Sequence, residues 1–542
     1  MYYDEGGFDV VEKKVFKKNI LFTILIFFIN STNKADAHSK KIEQLSDISG
    51  ISKNEKSDTQ IAAQEILIKQ GGTVQNALVS IYVDGFGADP TGATDSTASI
   101  LKAIESLNKT ADSRYIRGNE TYGEVIFGNG TYMIGDIPFL SGVRYRGQGQ
   151  WATRIKPTPN ARFCFTSLNT TDYYKKRVSG RLLQAGLFDL SIGFGYQEKL
   201  ENPTSKAGAI YLAYASYFTL SNILIQYLDG EGIRMEQVWD SDFSNLRIMY
   251  IGNNNVRRAK AALYIGPGNS EHDGSNALRF RGLHIENCAQ LLYLDKATRH
   301  IFFTSPKFES VIESKSSFIT GAFGICFDCA ELTWGTPDIP MFKIFEDEND
   351  IRSINKSITF DSPILISPPE KNKHGWYFSY SSTSGYLVIN NLSAINVFKI
   401  AVGNKVRVNN GVCIDSAAQL FNFYGDSLIH HFSFSNLNYD TNSDIKSIIE
   451  INGDNCSVEN CDFNLETALE GEYSAISVIN PAKWIRISKN FFSGASHAYI
   501  IINNETGDGW INDNYVAEIT GGELLLKKDS KQPQLNHQTS KE

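Results

Sequence analysis

Short runs of alternating apolar and polar residues recur along most of this chain, each bounded by Asn, Gly, Asp or Ser. Between about 120 and 520 they include FDLSI at 188–192, FTLSNILI at 218–225, FSNLRI at 243–248, FRGLHI at 280–285 and IFFTSPKF at 301–308. ITFDSPILI at 358–366, HFSFSNL at 431–437, SVENCDF at 457–463 and WIRISKNFF at 484–492 continue the theme. Period-two alternation marks a strand with one buried face. The runs return about every 20–30 residues, with longer gaps where side loops would be inserted; that period belongs to a solenoid, in which each coil buries its apolar side chains on its neighbours. No long amphipathic helix recurs between the runs, which disfavours a doubly wound sheet or a TIM barrel. The spacing is too irregular for regular propeller blades. A series of β-sandwich domains is the competing architecture.

The stretch 79–104, VSIYVDGFGADPTGATDSTASILKAI, sits ahead of the repeats. Its first residues, 79–83, read as a strand. A Gly/Asp/Pro/Thr loop follows. Asp95 and Ser96 then stand at N-cap positions before Ile100, Leu101, Ile104 and Leu107, which are spaced as in a helix. The loop GFGADPTG lacks both the GxGxxG spacing and a following Lys-Ser/Thr, so it is no phosphate cradle. Asp89 and Asp95 read as turn and cap residues rather than catalysts.

This stretch, followed by GEVIFGNGTYMI at 123–134, resembles the start of the pectate-lyase-like β-helix superfamily. The preceding GTVQNALVSIYV at 72–83 resembles the lead-in of bacteriophage tailspikes and related capsule depolymerases. The resemblance implies an all-β fold, a single-stranded right-handed parallel β-helix over 76–520, with a short N-terminal helix capping its open end. It also implies a homotrimer with lateral grooves. It carries no recognisable catalytic signature, so no catalytic residue is transferred from the family.

Residues 1–37 resemble a secretory signal peptide. Lys13, Lys14, Lys17 and Lys18 form a basic region, ILFTILIFFI at 20–29 is apolar, and Ala35-Asp36-Ala37 supplies a cleavage pattern. An uncleaved anchor or a start codon placed too far upstream are the alternatives. Residues 38–75 read as a linker or adaptor, with a weak amphipathic pattern at Ile61, Ala62, Ile66 and Ile68. Residues 521–542, polar after Leu526, read as a disordered tail. The formal net charge of −8 argues against nucleic acid as a partner, since that footprint is basic. The seven cysteines are odd in number and irregular in spacing, so they make no disulfide framework. The CFDC pair Cys326–Cys329 has no second pair or nearby His, and zinc is not expected there. No cofactor is expected, and the cysteines read as buried free thiols.

A filled solenoid has no axial pocket, so its chemistry lies on an outer face. Neighbouring strands stand about 4.8 Å apart, and equivalent positions form outward columns. Aligning NLRIMY (245–250), GLHIEN (282–287) and PKFES (306–310) on Ile248, Ile285 and Phe308 in the core places Arg247, His284 and Lys307 in one column. Met249, Glu286 and Glu309 fall in the next. NILIQY (222–227) offers only Leu224 and Gln226 at these places. Carboxylates on adjacent coils would stand roughly 5 Å apart, the separation of a retaining glycosidase pair, and their mutual repulsion would raise one pKa. The basic column would bind acidic groups of a glycan. The competing reading makes Glu286 and Glu309 solvated partners of Arg247, His284 and Lys307.

A second acidic cluster, Glu231, Glu236, Asp240 and Asp242, lies in DGEGIRMEQVWDSDFSN, and Asp240 and Asp242 are further catalytic candidates. Trp239 and Tyr250 would stack on sugar rings. The loop GPGNSEHDG at 266–274 would form a rim. Arg247, Lys307, His284 and Tyr250 would also suit β-elimination at a uronic acid; Asp240 and Asp242 are too few for a calcium-dependent lyase. The expected function is a depolymerase acting on an acidic bacterial capsular or extracellular polysaccharide. The expected location is extracellular, at a cell surface or on a virion tail. A lyase or a non-catalytic glycan-binding adhesin are the alternatives.

Overall fold

The computed structural model describes residues 80–517 and 535–536. It excludes 111–122, 168–180, 202–205, 253–259, 269–272, 312–313, 347–349, 351–353, 368–374, 417–418, 436–446, 466–473, 480–481, 495–497 and 503–508. The signal-peptide-like segment and the adaptor lie outside the described residues.

Among the described residues, forty strands join into one continuous hydrogen-bonded set in which each pairs in parallel with strands of adjacent coils. The chain is a parallel β-helix. Each coil contributes strands to three faces. In one coil these are Ala261–Gly266, Asn276–Arg281 and His284–Glu286. The next coil stacks Gln290–Leu294, Arg299–Thr304 and Lys307–Ser310 on them in the same order.

Inward positions repeat from coil to coil and fill the axis. Phe243, Phe280, Phe303, Phe327 and Phe360 form one inward column, with successive ring centroids 4.6, 4.9, 4.7 and 4.3 Å apart and near-parallel rings. The ring spacing follows the strand spacing, so each phenyl stacks on the next as it leaves water.

Several runs that alternate as though single strands are two. FRGLHI divides at Gly282 (φ 63°), IFFTSPKF at Ser305 (φ 48°) and ITFDSPILI at Ser362 (φ 52°). A left-handed residue turns the chain onto the next face while the inward-outward order continues, so periodicity alone does not show the corner.

At the N-terminal end, Ser80–Tyr82 pairs with Gly123–Ile126, and the helix Thr97–Thr110 packs over the first coil. The helix buries Ile100, Ala103, Ile104 and Leu107, whereas Leu101, expected on that face, is exposed. Asp95 accepts the Thr97 amide at 2.8 Å, and Asp89 accepts the amides of Thr91 and Thr94. Both aspartates therefore act in capping and turn geometry.

Leu535–Asn536, within the tail expected to be disordered, pairs in parallel with Ile511 and Asn512, because the last coil offers an open strand edge. The cysteines are free: Cys164, Cys288, Cys413, Cys456 and Cys461 are buried, but Cys326 is half-buried and Cys329 is exposed. Those two lie on the outward side of the coil or at its corner, which corrects the expectation of uniformly buried thiols. Among the described residues, no helix is long and apolar enough to cross a membrane, and no group of three His, Cys, Asp or Glu is arranged to hold a metal ion.

Candidate active site

Residues 245–251 of the strand Ile233–Ile251 lie between Thr219–Leu228 and His284–Glu286, and Lys307–Ser310 follows. The register pairs Leu224, Arg247, His284 and Lys307 in one column and Gln226, Met249, Glu286 and Glu309 in another. Ile225, Ile248, Ile285 and Phe308 lie between them, fully buried. This is the arrangement the alignment of inward residues anticipates, because the buried positions leave only one register that keeps them dry.

His284 stands between the two carboxylates. Its Nε2 is 3.7 Å from Glu286 Oε2 and 3.8 Å from Glu309 Oε2. That nitrogen is buried and makes no hydrogen bond. Burial lowers the His284 pKa below the ordinary histidine value; Arg247 and Lys307 push the same way, against Glu286 and Glu309. Arg247 donates to Glu286 at 3.1 Å. Lys307 lies 3.1 Å from Glu309 and 2.9 Å from Glu331 in the next coil, and these pairs hold its pKa above the ordinary lysine value. Each carboxylate thus has its own cation and shares the imidazole. The repulsion expected between two adjacent carboxylates is offset by Arg247 and Lys307.

One coil toward the N-terminus the face is covered. Gly193 (φ 116°) pairs with Gln226, and a side chain there would meet the Gln226 carbonyl oxygen, so only glycine lets the chain leave the coil here. The segment that follows lies over the face: Gln226 donates to the Phe194 carbonyl at 3.1 Å. Glu198, on the short helix Tyr196–Glu201, accepts from the Gly195 amide and pairs with Lys156 and Arg154 at 3.2 and 3.4 Å. Burial pushes its pKa up, but these partners outweigh it and the net shift is downward. Leu224 and Gln226 are buried, while the side chain of Arg247 beside them is 45% exposed. The open site begins at this ledge.

Tyr250 stacks on Tyr227 with centroids 4.8 Å apart and planes 1° from parallel, and Tyr227 packs against Tyr196 at 6.0 Å. Burial, then Tyr250, Tyr196 and Glu286, raises the Tyr227 pKa. Tyr227 and Tyr196 were missed in the sequence. Tyr227 had a signal, since NILIQY and NLRIMY both end in Tyr; Tyr196 had none.

The second acidic cluster is dispersed. Glu231 and Glu236 both pair with Arg234, at the other end of the strand Ile233–Ile251. Asp242 pairs with Arg281 at 3.5 Å and Arg279 at 3.8 Å on the face built from Asn276–Arg281, and Asp240 is an exposed corner residue with φ 48°. Trp239 lies under the Arg181 guanidinium at 4.8 Å and against Tyr214. The structure therefore does not bring Asp240, Asp242 or Trp239 to Glu286 and Glu309: the corner at Asn245 (φ 50°) turns the chain from one face to the next between them. In the 266–274 loop, Asp273 pairs with Arg299; Glu271 and His272 lie outside the described residues.

Among solved structures, the chain is similar to the tailspike protein of E. coli bacteriophage HK620, a double mutant in complex with a pentasaccharide. The TM-score is 0.50 at 11% identity, over 85% of this chain and 83% of that one. The likeness is one of fold, a parallel β-helix. The catalytic unit of the GH87 α-1,3-glucanase from Streptomyces thermodiastaticus strain HF3-3 is similar with a TM-score of 0.42 at 14% identity, over 82% of this chain and 68% of that one. In sequence, the β-helix chain is 22% identical over 300 residues to depolymerase 1 of Klebsiella phage KN3-1, described as specific for capsule KN3. The match takes in 53% of this chain and 36% of that relative, so the chain matches little more than a third of the relative's length. No family model matches the chain.

Proposed function

We propose that this β-helix is a polysaccharide depolymerase that cuts an acidic bacterial capsular or extracellular polysaccharide by hydrolysis, with Glu286 and Glu309 as the carboxylate pair. The observation that carries the reading is the register that stacks the two on adjacent coils of an open face, beside Arg247, His284 and Lys307. One carboxyl group protonates the glycosidic oxygen as the bond to the anomeric carbon breaks. The other attacks that carbon or takes a proton from the attacking water. Arg247 and Lys307 offer their remaining N–H donors to acidic groups of the glycan. The capsule depolymerase among the relatives supports the substrate class. In this reading three chains assemble as a homotrimer, outside a bacterial cell or on a virion tail.

A reducing-end assay on purified capsular polysaccharides tests it. The wild-type chain releases new reducing ends, and Glu286→Gln and Glu309→Gln each lower the rate by roughly 10²–10⁴-fold, the range of a lost general acid or base. Full activity in both variants removes the assignment.

The column of Arg247, His284 and Lys307 also favours a second reading, β-elimination at a uronic acid, in which these groups take the proton and stabilise the carboxylate charge. An ultraviolet band from an unsaturated uronate in the product decides for elimination. Tight binding with no new ends on any polysaccharide decides for an adhesin.

A further inference from the structure

Tyr227 and Tyr250 occupy the same corner position in successive coils, with φ 53° at both. Their rings are parallel and one strand spacing apart, so the stack runs along the solenoid. It stops at Tyr250. The next coil carries Asn287 at the corner after Glu286, with its side-chain oxygen turned to the Val311 amide. One face of the Tyr250 ring is covered by Tyr227, the other looks toward the coil of Glu286, and the residue is 38% exposed. On the covered side, Tyr196 extends the aromatic surface outward and is 58% exposed. The ledge that carries Tyr196 is tied down through Glu198 to Lys156 and Arg154, three coils before that of Arg247.

A pyranose ring presents an apolar C–H face, which suits a flat aromatic surface whose edges remain wet. Arg247 and Glu286 stand in the columns beside the stack and supply donors and acceptors to the hydroxyl and acidic groups of the same sugar. We propose that Tyr196, Tyr227 and Tyr250 form an aromatic subsite that takes one pyranose ring of an acidic glycan on the open face of Tyr250. Glu198 is its positioning residue. The subsite rests on the reading of this face as a glycan site and adds the place where the chain is held. It lies on the N-terminal side of Glu286 and is backed by the ledge, so the sugar bound there fixes which linkage meets the carboxylates.

The test uses the full-length chain and a printed set of purified bacterial capsular polysaccharides, followed by titration of the strongest binder. The wild-type protein binds at least one. Tyr250→Ala weakens that binding roughly five- to tenfold and Tyr250→Trp restores it, while Tyr196→Ala, which removes only the backing of the stack, weakens it about twofold with the melting temperature of wild type. Glu198→Ala raises KM in the reducing-end assay with kcat held within about twofold, the split expected when a group acts on binding alone. Unchanged binding in Tyr250→Ala overturns the subsite and leaves the depolymerase reading standing. Failure of the wild-type chain to bind any polysaccharide overturns both.

Discussion

At the scale of the residue, His284 is the group whose environment differs most from what its neighbours in sequence suggest. It faces two cations, Arg247 and Lys307, and two carboxylates, Glu286 and Glu309, from three adjacent strands. Burial and the cations prevail, and its folded pKa lies below the ordinary value of 6.5. The unfolded chain therefore binds more protons than the folded one in the window below 6.5. The stability contributed by the neutral imidazole is complete above that value and is lost as the pH falls through the folded pKa. Thermal melts across pH 4–7 are expected to show a steeper acid loss for wild type than for His284→Gln; equal slopes would place the acid sensitivity elsewhere. The positions of Glu286 and Glu309 were legible, because their buried neighbours set the register. The placement of His284 Nε2 between them was not, since it depends on side-chain rotamers that a residue pattern does not carry.

At the scale of the element, the inward phenylalanine column and the ledge behave differently. Phe327 stacks between Phe303 and Phe360 with planes within 5° of parallel and no solvent exposure. Phe327→Ala removes contacts to both neighbours and leaves a cavity that parallel strands on either side cannot close. Chemical denaturation is expected to show a loss of about 3–5 kcal/mol. A loss below 1 kcal/mol would mean that the coils collapse into the gap. This column was legible as period-two alternation with Phe at matching places. The ledge was not: the sequence treats Leu224 and Gln226 as outward and open, yet both are buried, and Gln226 donates to the carbonyl of Phe194, about thirty residues earlier. Corners were equally hidden, because a left-handed residue such as Ser305 or Ser362 changes the face without changing the alternation.

At the scale of the whole molecule, a solenoid joins neighbours only, so its ends are exposed unless something closes them. The helix Thr97–Thr110 closes the first coil with Ile100, Ala103, Ile104 and Leu107. Ile104→Asp places a carboxylate without a partner in the buried interface between the helix and the first coil, at a cost of several kcal/mol. Light scattering of Ile104→Asp is expected to rise with time through edge-to-edge association, while Leu101→Asp, at an exposed position, stays monodisperse. Soluble Ile104→Asp would assign the helix no capping role. By itself, the sequence determined the solenoid, its capped start and the register of Glu286 on Glu309, because each follows from which residues must leave water and at what period. Only the tertiary structure decided that Asp240, Asp242 and Trp239 turn away, that His284 is shared, and that a ledge and a tyrosine stack bound the site. Those depend on where corners fall and on segments folded over a face, and neither leaves a periodic trace in the chain.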